Sequence, residues 1–72
     1  MTDKEMAEFL VYRVMNAPQG MLTGGFTGDL KERFDVAREA GYLEEVPAAA
    51  TGRYSTGFRA SEAGRQFAVR NI

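Results

Sequence analysis

Arg53, Arg59, Arg65 and Arg70, all in the last third of the chain, are the residues whose type and spacing point most directly to a task. A guanidinium holds its N–H donors in a fixed fork that fits a carboxylate or a phosphate. Such a set suits an acidic protein surface or a nucleic-acid backbone. Period two puts Arg53 and Arg59 on one strand face, pointing away from Tyr54 and Phe58. Arg65 and Arg70 fall on the helix expected next, so the four make one candidate partner-binding patch. The plainer alternative is that their stems only cover apolar surface.

Other chemistry is thinly provided. The 72 residues include no histidine and no cysteine. Disulfides and the usual zinc sites are therefore excluded, and catalysis would fall to Asp, Glu, Ser, Lys or Tyr. The carboxylates sit at expected helix caps and on expected exposed faces. A domain of this size is also expected to lack the material for a ligand pocket of about 300 Å³ or more. The expectation is no enzyme activity, no metal and no cofactor. Gly24-Gly25-Phe26-Thr27-Gly28 precedes a helix, but it lacks a Gly-Lys-Ser/Thr ending, and Asp29 would repel an anion there. It is read as a turn.

Charge is unevenly spread. Residues 1–45 carry five Lys/Arg against nine Asp/Glu, a net of −4, whereas residues 46–72 carry four Arg against Glu62 alone, a net of +3. A basic end on an acidic body is a polarity that a partner can read. Hydrophobic content of 44% and charged content of 26% fit a globular domain rather than a disordered chain. The length predicts one domain, residues 1–72, that buries only about 60% of its unfolded surface. No apolar run approaches the roughly 20 residues of a bilayer span, and Met1 to Glu5 lack the features of a signal peptide. A cytoplasmic protein without membrane contact is expected.

The elements that position these residues alternate helix and strand. Thr2 and Glu5 have the spacing of a capping box, opening a helix that runs to about Asn16 and stops before Pro18. Met6, Leu10 and Val14 form its apolar stripe, while Tyr12 and Met15 fall toward Glu5 and Glu8. Gly20 to Thr23 reads as a short strand. Asp29 and Glu32 repeat the capping spacing and predict a second helix over Asp29 to Ala40, with Leu30, Phe34 and Ala37 on one side. Tyr42 to Val46 and Arg53 to Ala60 read as a hairpin with an uncharged loop over Pro47 to Gly52. Ser61 caps a last helix that turns Ala63 and Phe67 inward. These elements predict an α+β domain of three helices and a two- or three-stranded antiparallel sheet. Its expected core is Leu10, Val14, Leu30, Phe34, Leu43, Tyr54, Phe58 and Phe67.

Three short stretches carry a resemblance: Ala40-Gly41-Tyr42-Leu43-Glu44, Gly52-Arg53-Tyr54, and Phe58-Arg59-Ala60-Ser61-Glu62-Ala63-Gly64-Arg65. Over residues 29–67 the chain resembles the winged helix-turn-helix regulators. The resemblance implies a winged-helix-like fold with Asp29 to Ala40 as a recognition helix in the DNA major groove. By position it implies Lys31, Asp35, Arg38 and Arg53 as DNA-facing residues. Two functions follow. In the first, the chain is a small regulator or inhibitor that binds a protein or nucleoprotein partner. In the second, it is a transcriptional regulator that binds DNA as a homodimer. The negative outer face of Asp29 to Ala40 favours the first, because phosphate neutralisation supplies most nonspecific DNA affinity.

Overall fold

Thr2 starts the first helix as its spacing predicts. Its hydroxyl accepts from the Glu5 amide at 3.1 Å, and the Glu5 carboxylate accepts from the Thr2 amide at 3.2 Å. The structure is a computed structural model that describes residues 1–23, 27–52 and 55–72. Its α1 spans Asp3–Glu8 and continues without a break as a π-helix over Phe9–Met15. The wider turn is closed by the Asn16 amide, which donates to the Val11 carbonyl five residues back. Met6, Phe9, Leu10 and Val14 are buried, and Tyr12 stays exposed. Met15 departs from the expected polar face. The extra residue per turn rotates it away from Tyr12, and it packs against the core instead.

Strand β1, Met21–Thr23, leads toward α2, Gly28–Glu39. Here the expected capping box is corrected. Thr27 is the N-cap residue and makes no side-chain cap bond. Asp29 and Glu32 lie inside the helix, where a carboxylate near the N-terminus favours the helix dipole rather than capping an amide. Phe34 and Ala37 are buried as the wheel predicts.

Strand β2, Leu43–Val46, is followed by an additional α-helix, α3, over Ala48–Thr51. This overturns the expected loop and raises the expected three helices to four among the described residues. Alanine is the strongest helix former, and Gly52 closes the turn at φ +71°, which a side chain would resist. The Thr51 hydroxyl donates to the Ala48 carbonyl at 2.9 Å and fixes the turn from within. Strand β3 covers Gly57–Ala60, and α4 covers Glu62–Asn71.

The sheet is antiparallel in the order β1-β3-β2. Leu22 pairs with Phe58, Glu44 with Arg59 and Leu43 with Ala60. Period two turns Phe58 toward the helices and leaves Met21, Gly57 and Arg59 on the opposite face. Gly57 is buried on that face, close against the side chains of Met21 and Thr51.

One core joins the layers: Met6, Phe9, Leu10, Val14, Phe34, Ala37, Leu43, Ala60 and Ala68. Four expected core residues, Leu10, Val14, Phe34 and Leu43, are in it, and Leu30, Phe58 and Phe67 pack half-buried against it. Tyr54 lies outside the described residues. Ala63 was expected to face inward and is exposed. Gly64 and Ala68 take the buried positions, because α4 lies directly on the Gly41–Tyr42 corner. Ser61 fixes that docking. Its amide donates to the Tyr42 carbonyl at 2.9 Å, and its hydroxyl donates to the Gly41 carbonyl at 2.6 Å and accepts from the Gly64 amide at 3.1 Å. The rings of Tyr42 and Phe67 stack 4.5 Å apart beside it.

Candidate interaction surface

Strand β3 and helix α4 meet at Ala60–Ser61, and this junction gathers the basic side chains. Arg59 and Arg65 line one small concavity with Met15, Gly20 and Ala60. Arg65 continues onto the outer face of α4, where it lies with Gln66, Val69 and Arg70. Arg59, Arg65 and Arg70 therefore follow one another across a single surface. Arg53, the fourth expected member, lies outside the described residues.

The three arginines differ in what holds them. Arg59 reaches across the hairpin to its strand partner Glu44, at 2.9 Å from Nε and 2.7 Å from the terminal nitrogen. Its charge is already matched. Arg65 donates to the Ala60 carbonyl at 2.9 Å, and Arg70 donates to the Gln66 carbonyl at 3.3 Å. Neither has a carboxylate partner among the described residues. Each guanidinium keeps further donors for a ligand. Arg70 also sits in the last turn of α4, where a cation complements the helix dipole.

Val69 lies on the same face between Arg65 and Arg70, and at 79% exposure it is the most exposed large apolar side chain among the described residues. Sequence reasoning took the arginines alone as the patch and did not single Val69 out. The signal was there: whether Ala63 and Phe67 or Gly64 and Ala68 face the core, the helical period turns Val69 outward.

The alternative DNA-facing set is placed differently. Lys31 is bound to Asp35 at 2.7 Å, both about half exposed. The Arg38 guanidinium lies 5.4 Å from the centre of the Phe58 ring. The exposed residues of α2 carry two cations and four carboxylates (Asp29, Glu32, Asp35 and Glu39), a net of −2. A helix so charged meets duplex phosphate with repulsion.

A second concave region lies between α1 and the start of α2. Its volume is about 450 Å³, larger than the size of the chain suggests. Phe9 and Leu30 give it an apolar floor, and Glu5, Glu8, Tyr12, Arg13, Asp29 and Arg33 form its rim. Arg33 is tied to Glu5 at 3.3 Å. Hydrogen bonds from the Thr2 amide and hydroxyl, and then that from Arg33, hold the Glu5 carboxyl below its ordinary range. Glu8 and Asp29 have no ion-pair partner among the described residues. Glu5, Glu8 and Tyr12 share this region as their helical spacing predicts. The contribution of α2 is a tertiary fact that no local pattern carries.

No helix among the described residues is long and apolar enough to cross a membrane, and no cluster of three His, Cys, Asp or Glu that could hold a metal is found there. No family profile, curated protein or solved structure matches the chain.

Proposed function

We propose that this chain is a non-enzymatic interaction module, a small regulator or inhibitor that binds an acidic protein partner through the outer face of α4. The observation that carries the reading is Val69, an exposed apolar side chain between two guanidiniums that have no carboxylate of their own. Apolar contact flanked by charge-assisted bonds is how interfaces combine affinity with register. An acidic partner supplies the carboxylates, and an aliphatic side chain of that partner covers Val69.

Titration of a labelled peptide alternating glutamate and leucine tests this reading. Binding should weaken about tenfold or more in Arg65→Ala/Arg70→Ala, since each charge-assisted bond contributes roughly 1.5–3 kcal/mol. Random duplex DNA should show no appreciable affinity. Equal binding of the peptide by wild type and double variant rejects the proposal.

The second reading is a winged-helix DNA-binding regulator. The sheet order β1-β3-β2, with α2 ahead of the β2–β3 hairpin, supports it. Against it stand the net charge of α2 and the engagement of Lys31 and Arg38 within the chain. Duplex affinity that falls steeply with salt, and that depends on Lys31 and Arg38, would favour this reading over the first.

A further inference from the structure

The acidic partner proposed above has a match within the chain itself. We infer that the α4 face of one copy docks into the α1–α2 groove of a second copy, so that the protein self-associates head to tail. This rests on the α4 face being a docking surface, and it names the occupant.

The two surfaces are complementary in both charge and apolarity. On α4, Val69 stands between Arg65 and Arg70, and neither arginine has a carboxylate partner among the described residues. In the groove, an apolar floor of Phe9 and Leu30 is rimmed by Glu8 and Asp29, neither of which has a cationic partner there. The other carboxylate on the rim, Glu5, is occupied by Arg33. Two unmatched cations around an apolar side chain thus face two unmatched carboxylates around an apolar floor. The exposed Tyr12 ring adds a flat surface on which a guanidinium can stack. The groove wall is the π-helix, a distortion often found where a helix has a task beyond packing.

The two surfaces share no residue. One copy can therefore give its α4 and receive a neighbour's at the same time. Given to and received from different neighbours, the contact is heterologous and builds rings or open chains; exchanged with one neighbour, it closes a two-fold dimer. Arg13 also lines the groove and is the like charge that an incoming arginine meets. It should limit the affinity.

Sedimentation across a concentration series tests this directly. Wild type should rise in mass with concentration at about 0.05 M salt and fall back toward the monomer at about 0.5 M, where charges are screened beyond a few ångströms. Arg65→Glu/Arg70→Glu and Glu8→Arg/Asp29→Arg should each remain monomeric. An equimolar mixture of the two variants should associate again, because each acidic face then meets a basic one. Circular dichroism melts confirm that both variants are folded. Should Glu8→Arg/Asp29→Arg fail to fold, Arg13→Ala replaces it and should tighten wild-type association about threefold or more by removing a like charge. A wild type that stays monomeric to millimolar concentration at low salt overturns the inference, as does a mixture of folded variants that does not associate. The Glu-Leu peptide separates this inference from the functional reading: a monomer that still binds the peptide through Arg65 and Arg70 loses self-association only.

Discussion

Gly64 lies against the backbone carbonyl of Tyr42 so closely that a Cβ at position 64 would overlap the oxygen. Two rules then conflict. In an exposed helix, alanine would be more stable than glycine by up to about 1 kcal/mol. Here the neighbour is main chain, held in place by the Ser61 amide, and it has little freedom to retreat. Overpacking of this kind costs about 1–3 kcal/mol. Gly64→Ala should therefore lower the urea midpoint despite its better helix propensity. A raised midpoint would show that α4 can shift on the Gly41–Tyr42 corner.

Phe34 supplies the second stability test. It is buried on α2 and meets Phe58 edge to face, with ring centres 4.8 Å apart. Phe34→Ala removes that contact and opens a cavity, at a cost of about 3–5 kcal/mol. The total stability of a small domain is of the order of 5–15 kcal/mol, so the variant should be largely unfolded at 37 °C. An unchanged melting temperature would show that the core does not depend on this ring pair.

Local rules carried the reading of sequence where one residue type decides the geometry. Thr2 and Glu5 form their capping box, Ser61 caps α4, and Leu10, Val14, Phe34 and Leu43 are buried. Where two signals compete, the sequence misleads. Pro47 and Gly52 mark a loop, yet they bracket one helical turn of alanines, Pro47 before it and Gly52 at its left-handed end. Gly64 reads as a helix weakener because its reason is a carbonyl from a distant element. The π-helix has no residue signature, so Met15 is assigned to the wrong face. The basic residues were legible as a group, but Val69 was not read with them, although either phase of α4 turns it outward. The groove was not legible at all, because only the tertiary placement of α2 brings Asp29 and Leu30 to one concavity with Glu8 and Phe9.

Arg59 should matter less than its neighbours on α4. Its guanidinium is occupied by Glu44 across the hairpin, and both side chains remain substantially exposed, at 58% and 41%. An exposed pair of this kind contributes about 0–1 kcal/mol to stability. Arg59→Ala should shift the unfolding midpoint little and weaken binding of the acidic peptide by about threefold at most, against tenfold or more for the α4 pair. A loss as large as that of Arg65→Ala/Arg70→Ala would place the centre of the surface on the hairpin instead.

Glu5 gives the chain a predicted acid sensitivity. Its folded pKa is lowered, first by the hydrogen bond from the Thr2 amide, then by that from the Thr2 hydroxyl, then by Arg33. A carboxyl with a depressed folded pKa releases its proton more readily in the folded state. Its charge therefore contributes stability that is fully present above its ordinary value of 4.5 and is lost as pH falls through the lowered folded value. Glu5→Gln keeps an acceptor for the Thr2 amide but removes the charge that binds Arg33. The variant should melt below wild type at neutral pH, and the two melting curves should converge as the solution is made acidic past the folded pKa. The comparison isolates Glu5 because the two proteins share every other carboxyl. A gap that persists undiminished in acid would mean that the side-chain amide disturbs the start of α1 sterically, and that the charge on Glu5 contributes nothing to the fold.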